Sequence, residues 1–395
     1  MKKQFLDLGR QPIANGFLYE NDINDEFFFN LKVGFDADTY LVSLMEFVKP
    51  EKMFNDNYVY HSSMSQTMRD HFKDAAIKLK NDFRPQRVLE IGSNDGAFIK
   101  HFHEQSTIAV EPCGNFAELT NKKGYTTYNE FWDQNLAERL LSESGKRDMI
   151  YSANCMCHIQ DLDDAFIAVK KLLSPSGVFV FEDPSLARMM VRRSYDQIYD
   201  EHAHIFSVIS LDKLLNKHDL EIFKVENLEV HGGSNRIYVK HRDNIFIEID
   251  SSVSENIFSE RHHGLDNIEA YKEFAKDVDK SKERLVSLLT RYKNQGKKII
   301  SYGATSKSTT VFNYCGITSE LIDYIVDTTK DKQGKLSPGV HIPVVEAPDA
   351  IDNSIDIAFL GAWNYEKEIV NKEEIFLKRG GVFVTHVPGV RTIVC

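Results

Sequence analysis

Twice along this chain, short apolar runs alternate with stretches of helical periodicity, and this recurrence restricts the fold more than any other feature. In the first series RVLEIG (87–92), TIAVE (107–111), MIYSAN (149–154) and GVFVFED (177–183) read as buried strands. Helices are predicted between them over 97–105, 115–123 and 163–173. Buried strands joined through helices demand a parallel sheet covered on both faces, an α/β arrangement. After Leu220 the pattern changes to two strands, EIFKVENLEV and NRIYVKH, parted by the turn signal HGGS. Apolar residues at helical spacing (Phe274, Val278, Leu285, Leu288, Leu289) predict one long helix over 268–294. From Lys298 the alternation resumes with KIISYGA, LIDYIVD, IDIAFLGA and VFVTHVPG, a second and smaller α/β domain. The chain then divides into an N-terminal module (1–78), a central domain (79–245) and a C-terminal domain (246–395). The first of these reads as aromatic and irregular, with a predicted helix over 65–80.

Composition narrows what such a fold can serve. A net charge of −11 with no block of basic residues makes a poor binder of nucleic acid or anionic membrane. No apolar run approaches the ~20 residues that span a bilayer, and the first ten residues hold no signal-peptide core. The 5 cysteines, at 113, 155, 157, 315 and 395, form no disulfide framework. The Cys155-x-Cys157 spacing is also too tight for the usual zinc knuckle. The expectation is a soluble, cytoplasmic enzyme without a metal.

The first strand of the central series leads into its most informative turn, VLEIGSNDG (88–96). Gly92 ends the strand, and Gly96 allows the next segment to start close to whatever lies above the sheet. The following strand ends in Glu111, about 20 residues after the first glycine, where a carboxylate can accept both hydroxyls of a ribose. The G-x-x-x-G pattern differs from the G-x-G-x-x-G of a dinucleotide pyrophosphate site. S-adenosylmethionine (SAM) has no pyrophosphate, and its cationic centres suit the acids Glu90 and Asp95. A nucleotide site and an ordinary strand–turn–helix with chance acids are the competing readings.

YDQIYDEHAHIFS (195–207) is dense in titratable groups and follows the strand GVFVFED, so it belongs near the mouth of the sheet. A Glu beside a His can orient an imidazole and raise its basicity, and a nearby Tyr hydroxyl can stabilise an oxyanion. His158 also lies beyond a strand's carboxyl end, whereas His101, His103, His218, His262 and His263 read as surface or core. HGGSNR (231–236) is either a plain hairpin with Arg236 solvated or a glycine-rich wall with Arg236 aimed at an anionic substrate. SYGATSKST (301–309) opens a helix whose free amides, with Ser306, Lys307 and Ser308, make either a phosphate site or an ordinary N-cap.

Taken together these strings resemble the SAM-dependent C-methyltransferases of nucleotide-linked keto-deoxysugars. The resemblance runs through FLDLGRQPIANGFL (5–18), NYVYHSSMSQTMRDHF (57–72), VLEIGSNDG, CHIQDLDD (157–164), FEDP (181–184) and SYDQIYDEH (194–202). It continues in HGGSNRIYV (231–239), SYGATSK (301–307), NYCGI (313–317) and DKQGKLSPGVHIPV (331–344). It implies a small N-terminal zinc module, a central Rossmann-like SAM-binding domain and a C-terminal α/β domain that helps hold a sugar nucleotide. The chain departs from this plan in lacking the two N-terminal cysteine pairs, with Asp36 and Thr39 where a second pair would fall, so no structural zinc is expected. Ile205 stands where the family tends to place a tyrosine.

By matching motif the resemblance implies that His202 is the base that takes a proton alpha to a sugar ketone. Glu201 would be its orienter or relay partner, and Tyr199 and His158 would stabilise the enolate oxygen. The cofactor would be held by Glu90, Gly92, Asn94, Asp95, Gly96, Glu111 and Asn154. The sugar nucleotide would meet Tyr58, Tyr60, Ser63, His231, Arg236, Tyr302, Lys307, Asn313, Lys332 and His341. The residue types fit that chemistry, because carbon becomes nucleophilic only when a base removes a proton beside a carbonyl and a donor receives the oxyanion. The chain is expected to act as a monomer or weak dimer. Methylation of a sugar oxygen, or sugar-nucleotide binding without catalysis, are the alternatives.

Overall fold

In a computed structural model, which describes residues 2–348 and 351–395, the chain builds three sheets. The central one has 7 strands. Five run parallel, in the order Leu173–Pro184, Arg147–Ala153, Val88–Ile91, Thr107–Val110 and Thr126–Tyr128. The antiparallel pair Ser234–His241 and Leu220–Leu228 extends one edge. Val88–Ile91 lies between strands reached by connections in opposite directions, so a crevice opens where its own turn and the one after Ala153 diverge. All four residues of Val88–Ile91 are buried, which is why the run is continuously apolar except for Glu90.

The C-terminal sheet has 6 strands, parallel except at the Arg391–Ile393 edge, and Ile299–Tyr302 lies near its middle. Both α/β layers follow the sequence expectation, and the helix Ile268–Asn294 has the bounds its periodicity predicts. Its apolar face (Phe274, Val278, Leu285, Leu289) packs into one core shared with the N-terminal sheet and the C-terminal domain. No helix among the described residues is long and apolar enough to cross a membrane.

Three expectations are corrected. The N-terminal module is ordered, as a 4-stranded antiparallel sheet of Lys2–Pro12, Phe28–Asp36, Val42–Leu44 and His204–Ile205. The helix expected over 97–105 is two 3-10 turns, Ile99–His101 and Glu104–Ser106. Ala97, Phe98 and Ile99 are all buried, and three successive residues spread over about 200° of a helix cannot share one face. The strand expected from LIDYIVD shrinks to Ile325–Asp327.

Candidate active site

The turn after Val88–Ile91 is held open by backbone geometry and by the next strand. Gly92, Asn94 and Gly96 all have positive φ (74°, 47° and 81°). A Cβ on Gly92 would lie 2.6 Å from Cys155 Sγ, so only glycine lets the two crevice turns approach. Glu111 accepts the Asn94 amide through one carboxylate oxygen (2.7 Å) and the Cys113 amide through the other (2.9 Å). Each oxygen keeps a second lone pair for a further donor. The Asn94 and Asp95 side chains staple the segment around Tyr60 over the crevice. Asn94 accepts from the Ser62 amide (2.8 Å) and donates to the Tyr60 carbonyl (3.0 Å). Asp95 accepts from the Ser63 amide and hydroxyl (3.1 and 2.6 Å).

Beneath that segment lies a cavity of about 370 Å³, lined by Gly92, Asn94, Glu111, Asn154, Tyr58 and Tyr60, among others. Its apolar wall includes Met68, Phe72, Phe131 and Trp132, which sequence reasoning missed. The i, i+4 spacing of Met68 and Phe72 on a predicted helix was the only available signal. Glu90 is buried below the turn, where burial, reinforced by Glu111, pushes its carboxyl well above the usual range. Glu90, Asp95 and Gly96 shape the turn without lining the cavity.

A second cavity, of about 470 Å³, lies between the central and C-terminal domains. Tyr58, Tyr60, Asn154, His158 and His231 line both cavities, so the two are separated by single side chains. Tyr199, Glu201, His202, Tyr302, Lys307 and Lys332 are among the other polar residues that line the second cavity. His202 Nδ1 lies 2.6 Å from the Gln197 carbonyl oxygen. A carbonyl only accepts, so Nδ1 carries the proton and Nε2 keeps its lone pair. The ring is tilted against Tyr199 (centroids 4.1 Å) and stacked on His158 (5.3 Å), which is stacked in turn on Phe54 (5.3 Å). Burial, then His158 and Lys307, hold the His202 imidazole well below its ordinary pKa, and burial lowers His158 to about 3. Both rings are therefore neutral at physiological pH.

Glu201 does not orient His202. Its carboxylate accepts from Asn15 Nδ2 (2.7 Å) and the Tyr58 hydroxyl (2.9 Å), joining the N-terminal module to the site, and burial raises its pKa. Lys307 is half-buried, and desolvation lowers its pKa against the opposing pull of Asp196 and Glu201. Lys332 Nζ donates to the Ala304 carbonyl (2.7 Å) at the cavity edge. The Tyr302 hydroxyl turns away to Glu373 (3.0 Å).

The structure leaves four expected substrate contacts outside both cavities. Arg236 is neither solvated nor aimed at a ligand: it is 5% exposed, with Nε on Glu182 (2.7 Å) and Nη1 on Glu226 (3.1 Å). Asn313 donates to the Thr309 and Pro338 carbonyls (2.9 and 3.0 Å), with Gly339 pressed against its amide. His341 bonds Glu26 (2.7 Å), and Ser63 is held by Asp95. Arg236 spends its polar atoms on tying its strand to both neighbours, and the other three spend theirs on fixing loops. Among the described residues, Cys157, His158 and His202 are the one group that could hold a metal, with donor atoms within 4.8 Å of one another.

Three family models match successive parts of the chain. They are a methyltransferase domain over residues 60–225, a C-methyltransferase C-terminal domain over 229–388, and a proposed zinc binding domain over 1–54. The zinc-binding description does not fit the residues present, since positions 1–54 contain neither cysteine nor histidine. At the turn that holds Asp36 and Thr39 in place of a second cysteine pair, Asp36 accepts the amides of Asp38 and Thr39 (2.9 and 3.2 Å). The C-methyltransferase NovU of Streptomyces niveus is 29% identical over 394 residues, 98% of this chain and 93% of that one. Among solved structures, a SAM-dependent methyltransferase from Thermotoga maritima, described as a possible histamine N-methyltransferase, is 19% identical. The match covers 44% of this chain and 90% of that one, with a TM-score of 0.34. The CurJ carbon methyltransferase is 18% identical over 47% of this chain and 57% of that one, also with a TM-score of 0.34. The family models follow one another along nearly the whole chain, and together with the end-to-end relative they support a SAM-dependent C-methyltransferase.

Proposed function

We propose that this protein methylates a carbon of a nucleotide-linked keto-deoxysugar through an enolate, with His202 as the base. The observation that carries the reading is the tautomer of His202. Its Nδ1–H is tied to Gln197 and its free Nε2 belongs to a ring lining the cavity that adjoins the cofactor crevice. A neutral imidazole in a buried site takes a proton from carbon without first losing one of its own. The hydroxyl of Tyr199, kept protonated by burial, and His158 receive the developing enolate oxygen. Lys307 and Lys332 supply positive charge to an anionic sugar nucleotide.

The first cavity would hold SAM, with Glu111 and Asn154 toward its ribose and amino-acid ends and Trp132 in its apolar wall. SAM supplies an electrophilic methyl group, and Tyr58 and Tyr60, on the shared wall, align the two ligands. The reading includes no structural zinc in residues 1–54.

The experiment is solvent exchange at carbon, followed by turnover. With a 4-keto sugar nucleotide in D₂O and no SAM, the wild type exchanges the proton alpha to the ketone, and adding SAM yields C-methylated product and S-adenosylhomocysteine. His202→Asn binds SAM normally and does neither. Turnover of a 4-hydroxy sugar nucleotide with none of the ketone would assign oxygen methylation instead. Absence of SAM binding by calorimetry would leave a non-catalytic binder.

A further inference from the structure

The loop that carries His202 is gripped by the C-terminal domain. Tyr195–Gln197 form a 3-10 turn whose last carbonyl is the Gln197 oxygen that holds His202 Nδ1. Asp196, in the middle of that turn, is fully buried and accepts the indole N–H of Trp363 (2.5 Å). His386 Nε2 lies 3.4 Å from the same carboxylate oxygen. The Ile198 carbonyl accepts from Thr310 Oγ1 (3.2 Å), and the Tyr195 hydroxyl lies 3.6 Å from Cys315 Sγ. Trp363, His386, Thr310 and Cys315 are all residues of the C-terminal domain. The opposite flank of the site meets the same indole: a Cβ on Gly232 would lie 2.4 Å from the Trp363 ring, and Gly232 follows His231, which lines both cavities.

Resting on the base assignment above, we propose that Trp363 and Asp196 are positioning residues. The indole N–H of the C-terminal domain fixes the Tyr195–Gln197 turn, and through the Gln197 carbonyl it holds the catalytic imidazole in its proton-accepting tautomer. Neither residue touches the substrate carbon. A carbonyl free to move by about 1 Å no longer specifies which ring nitrogen carries the proton, and misplacement of that size costs on the order of 10²-fold in rate. The groups that face His202 are His158, Tyr199, Lys307 and His231, and those that face Asp196 are Trp363, His386 and Lys307.

The test uses the full chain. Trp363→Phe keeps an aromatic ring against Gly232 and deletes the N–H. It is expected to lower kcat at least tenfold, leaving the KM for the sugar nucleotide and the affinity for SAM within twofold. It should also move the acid limb of the kcat–pH profile upward, as a loosened turn lets water reach His202 and its pKa returns toward the ordinary imidazole range. Asp196→Ala should do the same, and Asp196→Asn, whose amide oxygen still accepts the indole N–H, should recover most of kcat. That pair decides the matter should Trp363→Phe fold poorly. An unchanged kcat and pH profile in Trp363→Phe or Asp196→Ala overturns the proposal. So does a raised KM at constant kcat, which would make the indole part of the substrate pocket. A dead His202→Asn beside a fully active Trp363→Phe refutes the positioning role alone; an active His202→Asn refutes the base assignment and this inference with it.

Discussion

Replacing Arg236 by alanine separates a substrate contact from a structural one. Arg236 meets Glu182, which is buried and also takes hydrogen bonds from His71 Nε2 (2.6 Å) and the Tyr151 hydroxyl (2.8 Å). Burial would raise the Glu182 carboxyl, but His71, then Arg236 and Tyr151, hold it down to about 2 from 4.5. A depression of that size corresponds to about 3 kcal/mol of linkage, present above the unfolded-state pKa and lost as pH falls from about 4.5 toward 2. Removing one member of a buried ion pair typically costs about 3–5 kcal/mol. Because His71 and Tyr151 still serve Glu182, the loss in Arg236→Ala should fall nearer about 2–4 kcal/mol. Urea unfolding followed by circular dichroism reads this as a lower midpoint with an unchanged slope. The destabilisation should shrink toward acid pH, where Glu182 is protonated in both proteins. In the folded variant the KM for the sugar nucleotide should stay within twofold. A KM raised tenfold or more with an unchanged midpoint would refute the reasoning and return Arg236 to the substrate site.

Two further outcomes test other parts of the site. Because a tetrahedral zinc ion takes sulfur and imidazole donors, Cys157, His158 and His202 should make turnover sensitive to micromolar Zn²⁺, reversibly with chelator, and Cys157→Ser should weaken that inhibition at least tenfold. Equal sensitivity in Cys157→Ser would show that the cluster is not the target. Gly92→Ala forces a side chain into positive φ and onto Cys155 Sγ, which should destabilise the crevice by about 1–3 kcal/mol and weaken SAM binding by calorimetry at least tenfold.

What the sequence made legible follows from the range of the interactions involved. The long helix Ile268–Asn294 is specified locally, by an apolar stripe and by Asn267, whose side chain caps the Glu269 amide. The SAM-type turn was legible because Gly92, Gly96 and Glu111 are close in sequence and each answers a backbone requirement. The N-terminal sheet was not. Lys2–Pro12 changes register between Gln4 and Leu6 and again between Asp7 and Arg10, and such bulges erase the two-residue alternation that marks a strand. Arg236 and Glu201 were recognised as functional types, but their directions depend on partners 54 and 186 positions away, Glu182 and Asn15. Trp363 carried no signal at all, since its role is to place an N–H in a domain distant along the chain.

The short strand His204–Ile205, which begins two residues after His202 and pairs with Val42–Leu44, ties the order of synthesis to the assembly of the site. The first three strands of the N-terminal sheet pair among themselves, but its fourth cannot be added until more than half the chain has been made. When that strand docks, it draws the His202 loop between two sheets at once. A fragment beginning at the central domain would lose the partner strand together with Asn15 and Tyr58, and should leave the histidine loop unanchored on that side. The module at the start of the chain thus anchors the His202 loop by strand pairing across some 160 residues.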